Sequence, residues 1–333
     1  EPFVFSIAGE DALQVTSHDV AFEGANTSFQ VHLRVAPDAF AATYNAAQLA
    51  IAPALALAAN SPLFLGQRLW DETRIALFRQ AVDDRPEAEE DDWRSARVSF
   101  GHGWVRASAY ELFAESVVQH EPLLPVLGPE DPLEIAGRGG TPTLAELRLH
   151  HGTVWRWNRA VYDGAGGGHL RIEMRALPSG PTPADMIANA ALVVGLTLAL
   201  RDDVDEFLSG ITFGQARRNF YAAARHGARA ELLWPAAPGE PARPVAVGDL
   251  VVRLLPQVEA ALVRAGVAAG DVARYLGIID ARARSGQTGA AWQRRMFAHA
   301  GGPAQRERAT KEVLSRYLAH ADEGQPVHTW SLP

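Results

Sequence analysis

His169–Thr182 reads HLRIEMRALPSGPT, and its first eight residues alternate strictly. Leu170, Ile172, Met174 and Ala176 fall to one side, and His169, Arg171, Glu173 and Arg175 to the other. Successive strand side chains point to opposite faces, so the segment predicts a strand with an apolar back and an ionisable front. A lone carboxylate between arginines, on a strand that stops at Pro178-Ser179-Gly180-Pro181, suits a site handling a divalent cation and phosphate together. The competing reading is a surface strand whose charges compensate one another.

Phe29–Val35 (FQVHLRV) makes the same offer. Phe29, Val31, Leu33 and Val35 share one face, and Gln30, His32 and Arg34 the other. Neutral imidazole is a metal ligand, and carboxylate oxygen is the donor Mg²⁺ prefers. Taken together, the two segments predict a curved sheet whose polar concave face is the active surface.

The rest of the chain sets bounds. Its 333 residues are 47% hydrophobic and 21% charged, ordinary globular usage that forms a core without staples. A net charge of −8, with dispersed basic residues, argues against nucleic acid as a partner. The absence of cysteine rules out disulfides, thiolate zinc sites and a Cys nucleophile, and fits a cytoplasmic protein. The apolar run Met186–Leu200 is short for a bilayer and holds Asn189 and Gly195, so it reads as a buried core helix, and no membrane is expected as a partner. The chain opens on a strand-like EPFVFSIAG, which suggests that a native N-terminal portion is missing.

Asp38 reads as the cap of an Ala-rich helix from about Ala39 to Ala59, kinked at Pro53. Glu87–Asp92 (EAEEDD) reads as a solvated loop, Arg97–Val105 as a strand or tight substrate loop, and Tyr110–His120 as a short helix. The Gly/Pro-rich Gly128–Thr143 reads as a mobile connection. Thr153–Tyr162 is a strand candidate with Arg156 and Asn158 on one face. Gly164–Gly168 (GAGGG) leads into a strand rather than a helix, so it reads as a hairpin or lid loop and not a nucleotide-binding turn. Thr182-Pro183 is an N-cap and N1 pair, and helices follow near 214–226, 247–265 and 305–321. Polar-faced strands first and helices afterwards define an α+β chain.

NTSFQVHLRV, LALAANSPLFLGQRLWDETRIALF, LHHGTVWRWNRAVYD and HLRIEMRALPSGPTPAD, in this order, resemble the glutamate–cysteine ligase type 2 group of carboxylate–amine ligases, over roughly residues 15 to 295. The resemblance implies a glutamine-synthetase-like fold, in which a curved antiparallel sheet holds ATP and divalent cations (Mg²⁺, with Mn²⁺ as the alternative) ahead of a helical C-terminal half. It implies that a substrate carboxylate attacks the γ-phosphate of ATP and that an amine then displaces phosphate from the acyl phosphate, as in γ-glutamyl amide formation. Its partners are then amino acids and ATP, and a homo-oligomer is compatible with it.

By resemblance, Glu173 and His32 take the metal-ligand positions, and Arg175 that of the arginine steadying the transferred phosphoryl group. Asn26 and Gln30 are candidates for the amino-acid substrate, and Arg74, Arg156 and Asn158 for a carboxylate or the nucleotide. Trp155 and Trp157 read as core. The family's first strand carries further carboxylates in a G-x-E-x-E pattern that this chain does not show; Glu10-Asp11 sits in a turn-like AGEDAL. The chain therefore reads as a single catalytic domain over 1–333 lacking its native N-terminal strand or strands. The alternative is a truncated or degenerate member that binds nucleotide or an amino acid as a sensor.

Overall fold

The computed structural model describes residues 3–83, 85 and 95–331; the acidic run Glu87–Asp92 lies outside them. The first half alternates short strands and helices. A hairpin of β1 (Phe3–Ala8) and β2 (Ala12–Ser17) is followed by β3 (Val31–Val35) and the long helix α1 (Phe40–Ala58). Next come the small hairpin β4 (Leu63–Phe64) and β5 (Gln67–Arg68), α2 (Thr73–Ala81), β6 (Val98–Ser99), α3 (Tyr110–Gln119), α4 (Pro132–Gly137) and α5 (Ala145–His151). β7 (Trp155–Arg156), β8 (Asn158–Asp163) and β9 (His169–Met174) close this half.

After Thr182 helices dominate: α6 (Pro183–Leu200), α7 (Val204–Gly210), α8 (Phe213–His226), the hairpin β10 (Glu231–Trp234) and β11 (Arg243–Ala246), then α9 (Val247–Arg264), α10 (Ala269–Ser285), α11 (Gly289–His299) and α12 (Arg306–Glu323). With 56% helix and 15% strand in small, mostly antiparallel sheets, the chain is α+β.

α1 explains the packing. Nearly all its residues are buried, and a helix apolar on every side has to lie at the centre. It packs against α6 and α8, while α6 in turn packs on α9 and α10. On its other flank α1 meets the apolar back of a three-stranded antiparallel sheet, ordered β3-β9-β8, through Tyr44, whose hydroxyl donates to the Asn158 carbonyl at 2.8 Å. A satellite cluster of Trp292, Met296, Phe297, Val313 and Trp330 joins α11 and α12 to the C-terminal segment.

Several local expectations are revised. Asp38 makes no capping bond, because Pro37–Ala39 form a 3₁₀ turn and the helix starts from Ala39. The Ala-rich helix itself has its expected extent, with Pro53 inside it. Gly128–Thr143 contains α4, capped by Asp131, which accepts from the Leu133 and Glu134 amides at 2.9 and 3.0 Å. Of Arg97–Val105 only two residues are strand.

Helical structure beginning at Pro183 continues to Gly210, a 28-residue stretch long and apolar enough to cross a bilayer, of which the most apolar window is 50% buried inside the molecule. Pro37–Ala58 also passes that test, with 89% of its window buried. Thr182 caps α6 by accepting from the Asp185 amide at 3.2 Å, with Pro183 in the first turn.

Candidate functional site

Strand pairing sets the site. In the β3–β9 ladder His32 stands opposite Glu173, and in the β9–β8 ladder Glu173 stands opposite Arg159. Partners across an antiparallel ladder point to the same face, so His32, Glu173 and Arg159 form one row. Arg34 and Arg171 form the next row, and Asp163 pairs with His169 beyond it. The apolar residues Ile172 and Met174 are fully buried on the other face.

Glu173 lies at the centre and is only 1% exposed. Its Oε2 accepts from Arg159 Nε at 2.7 Å and lies 2.6 Å from Arg159 Nη2; its Oε1 lies 3.6 Å from Arg175 Nε. Arg175 is half-buried, and its Nη1 is buried without a hydrogen-bond partner. Burial lowers the Arg175 pKa, partly opposed by Glu173. A desolvated guanidinium with an unused donor is prepared for an anion. Arg171 Nε donates to His32 Nδ1 at 3.1 Å, and its Nη1 lies 3.1 Å from Asp163 Oδ2 and 2.9 Å from His169 Nε2. Burial lowers the His32 pKa, Glu173 raises it, and Arg171, Arg159 and Arg175 lower it. The face is therefore rich in arginine, with the imidazole of His32 kept neutral near pH 7.

Arg159 was missed by sequence reasoning, although its parity carries the signal. It lies one residue past Asn158, so in a strand it points away from the face that Asn158 shares with Arg156. Those two are indeed on a common side, but it is the side toward α1. Asn158 is fully buried and its Nδ2 donates to Gln48 Oε1 at 2.8 Å. Arg156 is buried against Glu115, with Nη1–Oε2 at 3.1 Å. Arg74, in α2, donates to buried Glu72 at 2.8 Å and to the Ala176 carbonyl at 2.8 Å. It thus holds the backbone beside Arg175. Burial raises the Glu72 pKa against the pull of Arg74. Asn26 is half-buried, its Nδ2 donating to the Phe22 carbonyl at 3.2 Å and its Oδ1 unpartnered. Gln30 is exposed just before β3. The structure thus brings His32, Glu173 and Arg175 together and leaves Arg74, Arg156 and Asn158 off their face. Trp157 is buried edge-on to Phe78, with Trp155 against the same ring. Gly164–Gly168 is the β8–β9 hairpin connection.

The donor set does not complete a cation site. Mg²⁺ requires near-octahedral oxygen coordination. Glu173 and His32 supply one carboxylate and one imidazole, and Glu173 is already held by arginine. Among the described residues no group of three or more His, Asp or Glu converges on one point. Glu10 and Asp11 are spent elsewhere: they sit in the β1–β2 turn, where Asp11 pairs with Arg68 at 2.8 Å, a bond that holds its pKa down at about 2, and Glu10 pairs with Arg294 at 2.9 Å. Calorimetric titration of MgCl₂ without nucleotide is expected to show no saturable binding below the order of millimolar. A tight, stoichiometric site would mean that further carboxylates converge on Glu173.

His151 supports β8 from behind. Its Nε2–H donates to the Ala160 carbonyl at 2.8 Å, and its own carbonyl accepts from Arg159 Nη1 at 3.3 Å. Burial pulls its pKa from 6.5 to about 4. The unfolded chain therefore takes up this proton near pH 6.5 and the folded chain only near pH 4, so the stability is present above pH 6.5 and is lost as pH falls toward 4. Urea unfolding is expected to weaken by about 2–3 kcal/mol over that window. His151→Gln should flatten the dependence, and an unchanged slope would remove His151 as its source.

On this antiparallel sheet a buried carboxylate is held by Arg159 and lies beside Arg175, whose Nη1 has no hydrogen-bond partner. The family model of glutamate–cysteine ligase family 2 matches residues 13–315, and the chain belongs to that family. Comparison with curated proteins yields no match. Family membership implies ATP-dependent carboxylate–amine ligase chemistry, with ATP and a divalent metal as the usual requirements and amino acids as substrates.

Proposed function

We propose that the chain is the catalytic domain of a cytoplasmic ligase that joins a glutamate γ-carboxylate to an amine, as in a glutamate–cysteine ligase, on a glutamine-synthetase-like sheet. The observation that carries the reading is Arg175, desolvated, beside Glu173, with Nη1 unpartnered. The substrate carboxylate oxygen attacks the γ-phosphorus of ATP, and the bond to the β,γ-bridging oxygen breaks to release ADP. The amine nitrogen then attacks the acyl carbon, phosphate leaves, and the nitrogen gives up its proton. Phosphoryl transfer needs mainly alignment and charge neutralisation. Arg175 meets the equatorial phosphoryl oxygens, Arg159 and Glu173 fix its direction, and Asn26 and Gln30 face the amino acid. No step is assigned to Mg²⁺ or Mn²⁺, because the two donors on the sheet do not complete a cation site.

That incomplete donor set favours a second reading, a member that binds nucleotide or an amino acid without turnover. Phosphate release from ATP, screened over pairs of amino acids with Mg²⁺ present, separates the two. The ligase reading expects release that depends on both glutamate and an amine. ATP binding with no release for any pair would favour the sensor.

A further inference from the structure

α2, α8 and the β10–β11 hairpin line an open pocket of about 960 Å³ that shares no residue with the β3–β9–β8 face. This is within the size of small-molecule sites. Its wall carries Arg79, Arg218, Arg225 and Arg229, with Glu231 as its one carboxylate. In a chain of net charge −8 this is a local reversal of sign. Gly227 brings the parts together: its φ is +53°, and a side chain there would meet Asp71 Oδ2 at 2.5 Å, so the turn after α8 seats directly on the Trp70-Asp71 segment.

Two of these arginines are held by aromatic rings rather than by carboxylates. Arg225 lies over the Trp70 ring at 4.7 Å and Arg79 over the Tyr221 ring at 5.0 Å. Stacking fixes a guanidinium while leaving its N–H edges free to grip an anion. Among the described residues only Arg229 of the four has a carboxylate partner, Asp71 at 3.2 Å, and Asp71 is held more closely by Arg294 at 2.6 Å. Arg79 Nε is buried with no hydrogen-bond partner. Burial, with Arg225 and Arg229 adding to it and Asp71 opposing, lowers the pKa of neighbouring His226.

We propose that this pocket binds a small oligophosphate anion, gripped by Arg218, Arg225 and Arg229, with Arg79 contributing its unused donor. Forked guanidinium groups match phosphate oxygens in pairs, and several phosphates in a row match several arginines along one wall. A concave site in an otherwise acidic chain suits a small molecule rather than a nucleic-acid strand.

The probe is tripolyphosphate, titrated calorimetrically into the full chain carrying Arg175→Ala, so that the sheet face does not contribute. One saturable site is expected, weakened at least about tenfold by Arg218→Ala with Arg225→Ala, and favouring tripolyphosphate over citrate by about tenfold. Glu231→Gln removes the opposing charge and is expected to tighten binding a few-fold, a gain that misfolding does not produce. Absence of saturable binding, indifference to the paired arginine substitution, indifference to Glu231→Gln, or equal binding of citrate would each overturn the proposal. None of these outcomes depends on the ligase reading.

Discussion

Arg175→Ala is expected to lower single-turnover acyl-phosphate formation by about 100- to 1000-fold, the usual cost of losing one preorganised donor to developing charge. The effect is expected on the rate rather than the fold. Glu173 keeps its two close bonds to Arg159, at 2.7 and 2.6 Å, when the 3.6 Å contact from Arg175 is removed. Only 13% of the Arg175 side chain is accessible. Removing it loses packing but relieves a desolvated charge and an unpartnered Nη1. These terms oppose one another, so stability should move by no more than about 1 kcal/mol. Arg175→Lys should rescue little, because an ammonium does not reproduce the fork. Rapid-quench formation of acyl phosphate beside a melting curve checks both parts. Normal chemistry with a large fall in melting temperature would make Arg175 a structural ion-pair residue.

The sheet face was legible because a period of two ties every residue to a side, and both His169–Met174 and Val31–Val35 keep that period without a break. Which residue stands opposite Glu173 was not legible. Parity put Arg159 on the face away from Asn158, but pairing register depends on how three distant segments dock, so its place opposite Glu173 could not be read from the sequence. The polar residues Arg156 and Asn158 share a face, as their parity implied, but it is the face toward α1, for a related reason. α1 is so apolar that polar groups it does carry, such as Tyr44, Asn45 and Gln48, must find partners inside the core, and Asn158 supplies a partner to both Tyr44 and Gln48. Helices past Thr182 were legible from their length and caps. α4 was hidden because its Asp131-Pro132 start lies among glycines and prolines that also spell a loop.

Asp185→Ala is expected to cost about 3–5 kcal/mol of folding stability. Asp185 is fully buried at the start of α6. Its Oδ1 lies 2.7 Å from Arg282 Nη2, and its Oδ2 accepts from Thr182 Oγ1 at 2.8 Å and from the Val327 amide at 3.1 Å. Losing it leaves the buried Arg282 guanidinium with only Asn189 Oδ1 at 2.6 Å and the Leu57 carbonyl at 2.9 Å, neither carrying a charge. Burial already lowers the Arg282 pKa against the pull of Asp185. Arg282→Met should cost less, because Asp185 keeps its bonds to Thr182 and Val327. The double substitution should cost less than the sum of the two, since each single change strands the other group. Urea unfolding of the three variants at pH 7 measures this, and additivity with a small Asp185→Ala term would refute a coupled network. The consequence reaches the site through the chain itself: α6 starts at Pro183, eight residues after Arg175, and Asp185 joins that start to α10 and to the C-terminal segment. A loosened α6 start should therefore also reduce phosphate release in Asp185→Ala protein that remains folded, whereas Arg284→Ala, whose ion pair with Asp280 is exposed, should change neither.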